Sequence, residues 1–293
     1  MTITLPAASP SGTTVPLLLI ADDFGLTPAI SASILTLIRA GRLSGTGGMT
    51  NCPDWAVSAP ALAELRHLAD AGLHLNLTAL SPLGPMPHLC PQGRFPELAQ
   101  VARAALLDKA VREEIRQEII RQIDAFARYY GSLPLFIDGH RHVHVLPGVR
   151  SALFEALATY GDSYRPMLRD TYDQPWKIFA RGIVPVKALV IAFLAYGFEA
   201  EATRRGYPTN QGFAGVGPFD PERDFAADLR RFIRHKRPRG LVMVHPGLSP
   251  DPDLVGIDGV IATRPIEHEA LMSDHFLADL ARAGFHLGRI ETL

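Results

Sequence analysis

The chain has few cysteines, almost no net charge and no long uninterrupted hydrophobic run. Its two cysteines, Cys52 and Cys90, are too few for a disulfide framework, so we expect a reducing compartment and a cytoplasmic protein. A net charge of −1 over 293 residues lacks the positive excess typical of nucleic-acid binding, and we predict no nucleic-acid partner. The most apolar segment, 183–198, is interrupted by Pro185 and Lys187 and is too short to span a bilayer. We predict no stable membrane insertion, and we interpret this segment as a buried helix, with a membrane-facing helix as the alternative.

Three common catalytic motifs are also absent. The chain contains no Gly-x-Ser-x-Gly elbow, no phosphate-binding P-loop and no dinucleotide fingerprint, so serine-nucleophile catalysis and nucleotide use have no support. Residues 1–14 lack a basic start and a long apolar stretch, which predicts a disordered tail rather than a signal peptide. We expect one domain over residues 15–293.

Apolar segments alternate with helical patterns along the chain. Residues 15–21 form a nearly continuous apolar run, as expected of a parallel strand that is covered on both faces. Thr27 and Pro28 suit the start of a helix that Gly41 ends. Further strands are predicted at 43–49, 71–77, 135–138 and 240–245, and further helices at 54–69, 97–130 with a break near Asp108, 149–160, 221–235 and 268–283. This order predicts one α/β domain, barrel-like, with its site at the C-terminal ends of parallel strands. Residues 170–211 show no motif.

Three short segments, far apart in sequence, carry residues that bind metal ions. Asp22 and Asp23 end the first apolar run, His74 alternates with leucines in a predicted strand, and residues 138–144 hold an aspartate and three histidines. Imidazole nitrogens and carboxylate oxygens are ligands of first-row divalent cations, Zn²⁺ in particular. Because each segment forms or follows a predicted strand, all three can meet at one end of the sheet. That pattern indicates a metal-dependent hydrolase.

The adjacent aspartates, Asp22 and Asp23, can take different roles at a strand end. One can bind a cation while its neighbour accepts a proton from water, whose pKa a bound cation lowers from ~15.7 toward ~7. Alternatively, the pair caps the following helix or faces solvent in a turn.

The histidines have alternative interpretations as well. His74 and Asn76 share one face of the predicted strand, which indicates a barrel lumen or a site, although a hydrogen-bonded core histidine is the more frequent role. In the third segment, His140 and His144 would face the same way on a helical turn, whereas His140 and His142 would do so on a strand. A solvent-exposed histidine-rich loop is the alternative there.

The three segments, in this order, resemble the signature of YdjC-type carbohydrate deacetylases. This group is also called the ChbG/HpnK family and is related to the NodB polysaccharide deacetylases. The resemblance runs from Leu17 to about Leu287 and rests on Asp22-Asp23-Phe24-Gly25, Gly72-Leu73-His74-Leu75 and Asp138-Gly139-His140-Arg141-His142-Val143-His144. It implies a distorted (β/α) barrel that acts on an N-acetylated amino sugar, such as chitobiose. It also implies one divalent metal ion, with Zn²⁺ preferred and Mg²⁺ or another divalent ion as alternatives.

The resemblance further implies roles for individual residues. Asp23, His74 and His140 would bind the metal, and Asp22 would be the general base. Arg141 stands where the family often has a histidine that is not a ligand by this alignment. The difference therefore concerns neighbouring substrate contacts more than the metal.

Later segments extend the resemblance. His245 resembles the family's strand-end histidine, the candidate general acid, and an imidazole with an unperturbed pKa near ~6.5 can donate a proton at neutral pH. The alternative is a structural histidine bonded to a backbone carbonyl at a turn. Arg165, followed by Pro166, resembles the Arg-Pro element that lies beside the base in NodB relatives. Arg264 and Glu267 also match a family pattern, but we assign them to the solvated start of a helix.

The resemblance implies hydrolysis of an acetamide on an amino sugar by metal-activated water, with an N-acetylated sugar as the partner. Another metal-dependent amidohydrolase or a phosphohydrolase is one alternative, although such enzymes often hold two metals and need more carboxylates. A non-catalytic metal-binding protein is the other, and it would have four protein ligands and no open position. A homodimer is compatible with the sequence.

Overall fold

The computed structural model describes residues 14–254 and 259–290. Its strands form one eight-stranded sheet in which every neighbouring pair is parallel. The strands are β1 (Val15–Phe24), β2 (Gly45–Gly48), β3 (Asp70–Leu75), β4 (Phe136–Gly139), β5 (Met167–Leu168), β6 (Phe213–Ala214), β7 (Gly240–Val244) and β8 (Phe285–Leu287). The helices are α1 (Pro28–Arg39), α2 (Trp55–Glu64), α3 (Leu98–Leu107), α4 (Lys109–Tyr130), α5 (Pro147–Ala158), α6 (Pro175–Arg181), α7 (Pro185–Leu194), α8 (Phe198–Arg204), α9 (Phe225–Ile233), α10 (Arg264–Met272) and α11 (Asp274–Arg282). The predicted tail over 1–14 lies, apart from Thr14, outside the described residues.

The sheet curves into an incomplete barrel. Its strand order is β5-β4-β3-β2-β1-β7-β6, and β8 pairs with the first residues of β1. β5 pairs with the segment that precedes β6 through one isolated parallel β-bridge, between Leu168 and Thr209. Beside this bridge, the side chain of Asn210 accepts a hydrogen bond from the Asp170 N–H and donates one to the Asp170 carbonyl (2.8 and 2.9 Å). The predicted single-domain (β/α) barrel is confirmed, with an irregular closure between β5 and β6.

The first strand and helix form as their sequence predicts. The apolar run of β1 is buried on both faces, and the Thr27 hydroxyl accepts a hydrogen bond from the Ile30 N–H at the start of α1. Ile30, Ile34 and Ile38 lie four residues apart and bury one stripe of α1 against the sheet. β1 extends beyond the predicted Ala21 to Phe24. The paired aspartates therefore lie inside the strand, close to its C-terminal end, rather than after it.

The longest predicted helices divide at identifiable residues. The predicted break near Asp108 is confirmed, because the Asp108 carboxylate accepts a hydrogen bond from the Ala110 N–H (2.8 Å) and so begins α4 directly after α3. The prediction of one last helix over 268–283 is wrong. α10 begins at Arg264, and the extended backbone of Ser273 (φ −61°, ψ 148°) separates it from α11.

The apolar segment 183–198 does not form the buried helix that we predicted. α7 lies within it, and Ala192 is the only buried residue of that helix. Val186 and Phe193 are 74% and 78% exposed. Among the residues that the structure describes, no helix is long and apolar enough to cross a membrane.

Glycines make up three of the four residues of β2, although glycine weakens a strand. A Cβ atom at Gly48 would lie 2.2 Å from the ring of Trp55, and one at Gly47 would lie 3.0 Å from the Cβ of His74. Trp55 is fully buried and stacks on Phe126. The missing side chains of β2 therefore make room for a core tryptophan on one face and for a candidate site residue on the other.

We predict that Gly48→Ala lowers the free energy of unfolding by about 1–3 kcal/mol, because the Trp55 ring must leave its packed position. Urea denaturation measures this change. Gly259→Ala is the matched control, since Gly259 is exposed and no atom lies within 4 Å of the added Cβ. Equal stability of the two variants would show that Trp55 accommodates the extra methyl group.

Candidate metal and catalytic site

The alternation of side chains along the strands places several residues of the three motif segments, and His245, on the inner face of the barrel. An apolar cluster on that face consists of Leu18, Ile20, Phe136, Met167, Phe213, Val216, Leu241 and Met243. Side chains two positions apart share a strand face. Asp22, Asp138 and His245 therefore continue the same inner face at the C-terminal ends of β1, β4 and β7. They form a polar layer directly above the apolar interior.

These strand ends open into one cavity of about 690 Å³. Its lining includes Asp22, Asp23, His74, His140 and His245, which come from β1, β3, β7 and the turn after β4. Because all strands are parallel, their C-terminal ends lie at the same edge of the sheet. Of the predicted site residues, the structure thus brings five together.

Three of these residues offer ligand atoms that converge on one point. Asp23 Oδ1 lies 3.1 Å from His140 Nδ1 and 3.4 Å from His74 Nε2. The three ligand atoms all lie within 4.8 Å of one another. Two imidazole nitrogens and one carboxylate oxygen suit a divalent cation that keeps further coordination positions open. The donor set therefore fits the metal that the sequence predicts.

Asp138 orients His74 for this role. Its Oδ1 lies 2.6 Å from His74 Nδ1, which directs the other ring nitrogen toward Asp23. A carboxylate that binds the far nitrogen of an imidazole fixes the tautomer and makes a metal-binding histidine more basic. Asp22, His74 and Asp138 form a second close group. Its two carboxylates are already engaged, however, so the Asp23 group is the better candidate for a metal.

Arg169 links Asp22 to Asp138. Its guanidinium donates to both oxygens of Asp22 (2.7 and 2.6 Å) and also pairs with Asp138. Burial alone would raise the pKa of Asp22, but the charges of Arg169, His74 and His245 and the hydrogen bond from Arg169 together outweigh burial and lower that pKa to about 2. Asp22 is therefore ionised at neutral pH and held in one orientation.

The prediction that Arg165 lies beside the base is wrong. Arg165 precedes β5, pairs with Asp162 (2.6 Å) and stacks over the ring of Tyr207 (5.0 Å). Arg169 follows β5 at the opposite, C-terminal end of that strand, where the site lies. The signal that could have identified Arg169 is its position two residues after the inward-facing Met167, but a strand of only two residues gives a weak pattern.

The assignment of Arg264 and Glu267 to a solvated helix start is also wrong. Their exposed fractions are 1% and 2%. Arg264 donates to Asp23 Oδ2 (2.5 Å), and Glu267 accepts the backbone N–H of His245 (2.6 Å). Arg264 also donates to the carbonyl of His245 (3.3 Å). The start of α10 therefore holds both a candidate ligand and the candidate acid.

The histidine-rich segment adopts neither of the two geometries that we considered. Arg141 and His142 both have left-handed backbone conformations (φ 52° and 59°), which non-glycine residues rarely adopt. This tight turn separates His140, in the cavity, from the buried His144. His144 Nε2 donates to the Arg169 carbonyl (2.7 Å), so His144 positions Arg169. The alternative interpretation, a solvent-exposed histidine-rich loop, does not apply either, because His144 is buried.

The buried charges of the site favour a cation. Asp22, Asp23 and Asp138 face two guanidinium groups, those of Arg169 and Arg264, which leaves one negative charge in excess when the imidazoles are neutral. Burial disfavours a charged His74, yet Asp138 and Asp22 overcome burial and raise its pKa to about 10. The field at this point of the cavity thus stabilises positive charge, whether from a proton or from a metal ion.

The fold and this cluster define a barrel-like α/β protein with an Asp/His site suited to a divalent cation. A family model described as "YdjC-like protein" matches residues 16–282. The chain belongs to the YdjC-like family, and the resemblance that its three motifs indicated is confirmed.

Comparison with known proteins adds relatives and one fold neighbour. A carbohydrate deacetylase from Mus musculus is 35% identical over 154 residues, which is 50% of this chain and 48% of that protein. A chitooligosaccharide deacetylase from Enterobacter sp. (strain 638) is 32% identical over 146 residues, which is 50% of this chain and 56% of that protein. The chain thus spans about half the length of the curated relatives it matches. A crystal structure from Enterococcus faecalis V583, of a protein provisionally named for cellobiose-phosphate cleavage, has the same fold (TM-score 0.69, 20% identity, 95% of this chain and 98% of that one).

We predict that Arg169→Ala and Arg165→Ala differ sharply in stability. Removing Arg169 leaves Asp22 and Asp138 buried without their cation, which costs about 3–5 kcal/mol of unfolding free energy. The partly exposed Arg165 pair is worth at most about 1 kcal/mol. Urea denaturation of both variants measures the difference. Similar losses would mean that the buried carboxylates find another partner.

Proposed function

We propose that the protein removes the N-acetyl group of an amino sugar, with one divalent cation held by Asp23, His74 and His140. The observation that best supports this proposal is the convergence of those three ligand atoms in a cavity that also contains Asp22 and His245. The names of the matching relatives, carbohydrate deacetylase and chitooligosaccharide deacetylase, support the substrate class.

The donor set favours Zn²⁺ over Mg²⁺. Zn²⁺ accepts imidazole nitrogens readily, whereas Mg²⁺ prefers an octahedron of oxygen atoms. When bound, such a cation supplies Lewis acidity, which polarises the acetyl carbonyl and makes water easier to deprotonate. Asp23 is kept in place for this role by Arg264, and His74 by Asp138.

Asp22 is the proposed proton acceptor. Its low pKa keeps it ionised over the whole neutral range, so it is ready to take a proton from the attacking water. Arg169 binds both of its oxygens and thereby fixes the direction in which the carboxylate faces the cavity.

His245 is the proposed proton donor to the departing nitrogen. Glu267 and Arg264 hold its backbone on both sides, and its ring packs edge-on against Phe219 (centroids 5.3 Å apart). An amine leaves a tetrahedral intermediate poorly unless its nitrogen is protonated as the bond breaks. A histidine held at the cavity wall can deliver that proton.

The site geometry weighs against a two-metal phosphohydrolase and against a purely structural metal site. A two-metal phosphohydrolase needs a second ligand set, but the other close group among the described residues shares His74 with the first and has its carboxylates bound to Arg169 and to His74. A purely structural metal site would be closed by four protein ligands. Here three ligands face a cavity, which suits a site that must admit substrate.

We predict one divalent ion per chain and acetate release that depends on it. His74→Ala and His140→Ala should each lose the ion, measured by elemental analysis, together with acetate release from a panel of N-acetylated amino sugars. His67→Ala is the control, because His67 is exposed and outside the cavity. Asp22→Asn should keep the ion and lose about 10²–10⁴-fold in rate, the usual effect of removing a positioned proton acceptor.

Two results would contradict these assignments. Stoichiometric metal in the His74→Ala/His140→Ala double variant would place the ion elsewhere. Metal loss in Asp22→Asn, with metal kept in Asp23→Asn, would reverse the two aspartates. Removal of the ion with a chelator and its return should abolish and restore acetate release.

We also predict that His245→Ala depresses N-deacetylation far more than hydrolysis of an activated aryl acetate. The amide should lose about 10²–10⁴-fold, whereas the phenolate leaves without a proton and its rate should fall by about tenfold or less. Metal content should not change. The wild-type rate should fall at alkaline pH, where the acid is deprotonated, and the variant should lack that limb. Equal losses on both substrates would remove His245 from the acid role.

A further inference from the structure

The connection between β5 and β6 exposes several large apolar side chains on its outer surface. It carries α6 and α7, which pack against each other on one side of the barrel. Four of its aromatic side chains are more than half exposed, whereas the most exposed aromatic side chain elsewhere in the described part of the chain is Tyr129, at 38%. We call this surface the aromatic patch, and it consists of Trp176, Phe179, Val186, Phe193 and Tyr196.

The helices of the aromatic patch are held by the barrel beneath them. On α7, Val186, Val190 and Phe193 recur at the spacing of one helix face and are all exposed. Ala192, on the other side of α7, is buried. On α6, Ile178 is buried although the next residue along the helix is exposed. The patch is therefore a fixed surface that residues 14–254 and 259–290 leave uncovered. Exposed apolar surface of this kind marks a site of contact with a protein or a membrane.

The charge in and beside the aromatic patch is positive. Residues 174–198 contain no Asp or Glu. The ring of Trp176 contacts the ring of His235, with centroids 5.4 Å apart, and this contact places the exposed Arg234 and Arg237 beside the patch. Basic side chains next to an apolar surface attract the phosphate groups of anionic lipids.

These properties fit a lipid bilayer better than a second protein. Trp and Tyr rings, which combine an apolar body with one polar atom, concentrate at the boundary between lipid and water. α7 has ten residues, too few to span a bilayer, but a helix that lies in the plane of the interface needs to bury only one face. An apolar protein partner would gain nothing from the basic flank, whereas lipid phosphates would.

We propose that the aromatic patch attaches the protein reversibly to the surface of an anionic lipid bilayer. The exposed apolar side chains of α7 enter the outer part of the hydrocarbon layer. The indole N–H of Trp176 and the hydroxyl group of Tyr196 stay at the level of the lipid headgroups, and Arg234 and Arg237 pair with lipid phosphates. The attachment is a property of the outer surface of the β5–β6 connection and does not depend on the proposed deacetylation.

The first test uses the fluorescence of the chain's own tryptophans. The chain has two, of which Trp55 is fully buried and Trp176 lies in the patch. We expect vesicles of equal parts phosphatidylcholine and phosphatidylglycerol to shift the emission of Trp176 to shorter wavelength, and brominated phospholipids to quench it. Trp55 should contribute a constant background. Trp176→Phe should abolish both spectral changes, although most of the protein should still sediment with the vesicles.

The second test measures partition onto sucrose-loaded vesicles by sedimentation. Phe193→Ser should weaken partition by about three- to twentyfold and Val186→Ser by about two- to fivefold, because each removes apolar surface that the bilayer buries. Val57→Ser is the matched control and should leave partition unchanged, since Val57 lies on α2 and is 75% exposed, against 74% for Val186. Arg234→Gln combined with Arg237→Gln should weaken binding to the anionic vesicles by about tenfold and leave binding to pure phosphatidylcholine unchanged.

The outcomes are distinguishable from those that test the proposed function, because the vesicles contain no N-acetylated sugar. No association of the unaltered protein with either kind of vesicle overturns the attachment, as does equal weakening by Val57→Ser and Val186→Ser. A dimer in light scattering that Phe193→Ser dissociates, without vesicle binding, assigns the aromatic patch to a second copy of the chain instead. Acetate release tests the proposed function separately.

Discussion

The site depends on the buried guanidinium of Arg169. It binds both oxygens of Asp22 and pairs with Asp138, which in turn holds His74. Three strand ends, those of β1, β4 and β5, thus bring charges together in a place with almost no solvent, where an unpaired charge would cost several kcal/mol. The guanidinium of Arg169 compensates the charges of two buried carboxylates. The same contacts fix the orientation of the proposed base, Asp22, and, through Asp138, that of the proposed metal ligand His74.

The neighbouring aspartates reach different partners through a local irregularity of β1. Regular alternation would turn Asp23 outward, away from Asp22. Its left-handed backbone (φ 70°) and the shift in register with β2 between Ala21 and Phe24 bring its carboxylate into the cavity as well. Arg264 then binds one oxygen and leaves the other for the imidazoles. Backbone strain of this kind occurs where function requires a particular side-chain direction.

The features that were predicted correctly from the sequence are those that depend on local residue patterns. The three segments that carry Asp23, His74 and His140 were identifiable because they form or follow predicted strands, whereas the choice of these residues as candidate ligands came from the family resemblance. The barrel was predicted because strands and helices alternate. Arg169 was missed because β5 is two residues long, so its ends leave no periodic signal. Burial of Arg264 could not be inferred, since its partner Asp23 is 241 residues away. The exposure of α7 was equally inaccessible, because an apolar helix looks the same in sequence whether or not another element covers it.

The candidate catalytic residues and the apolar wall of the cavity come from different parts of this barrel. The candidate ligands, base and acid come from β1, β3, β4 and β7, which form continuous parallel pairs and hold side chains rigidly. The apolar wall comes from the connection between β5 and β6, which carries α6, α7 and α8, and there the sheet closes by a single bridge. The connection that forms this part of the wall is thus separate from the paired strands that hold the candidate site.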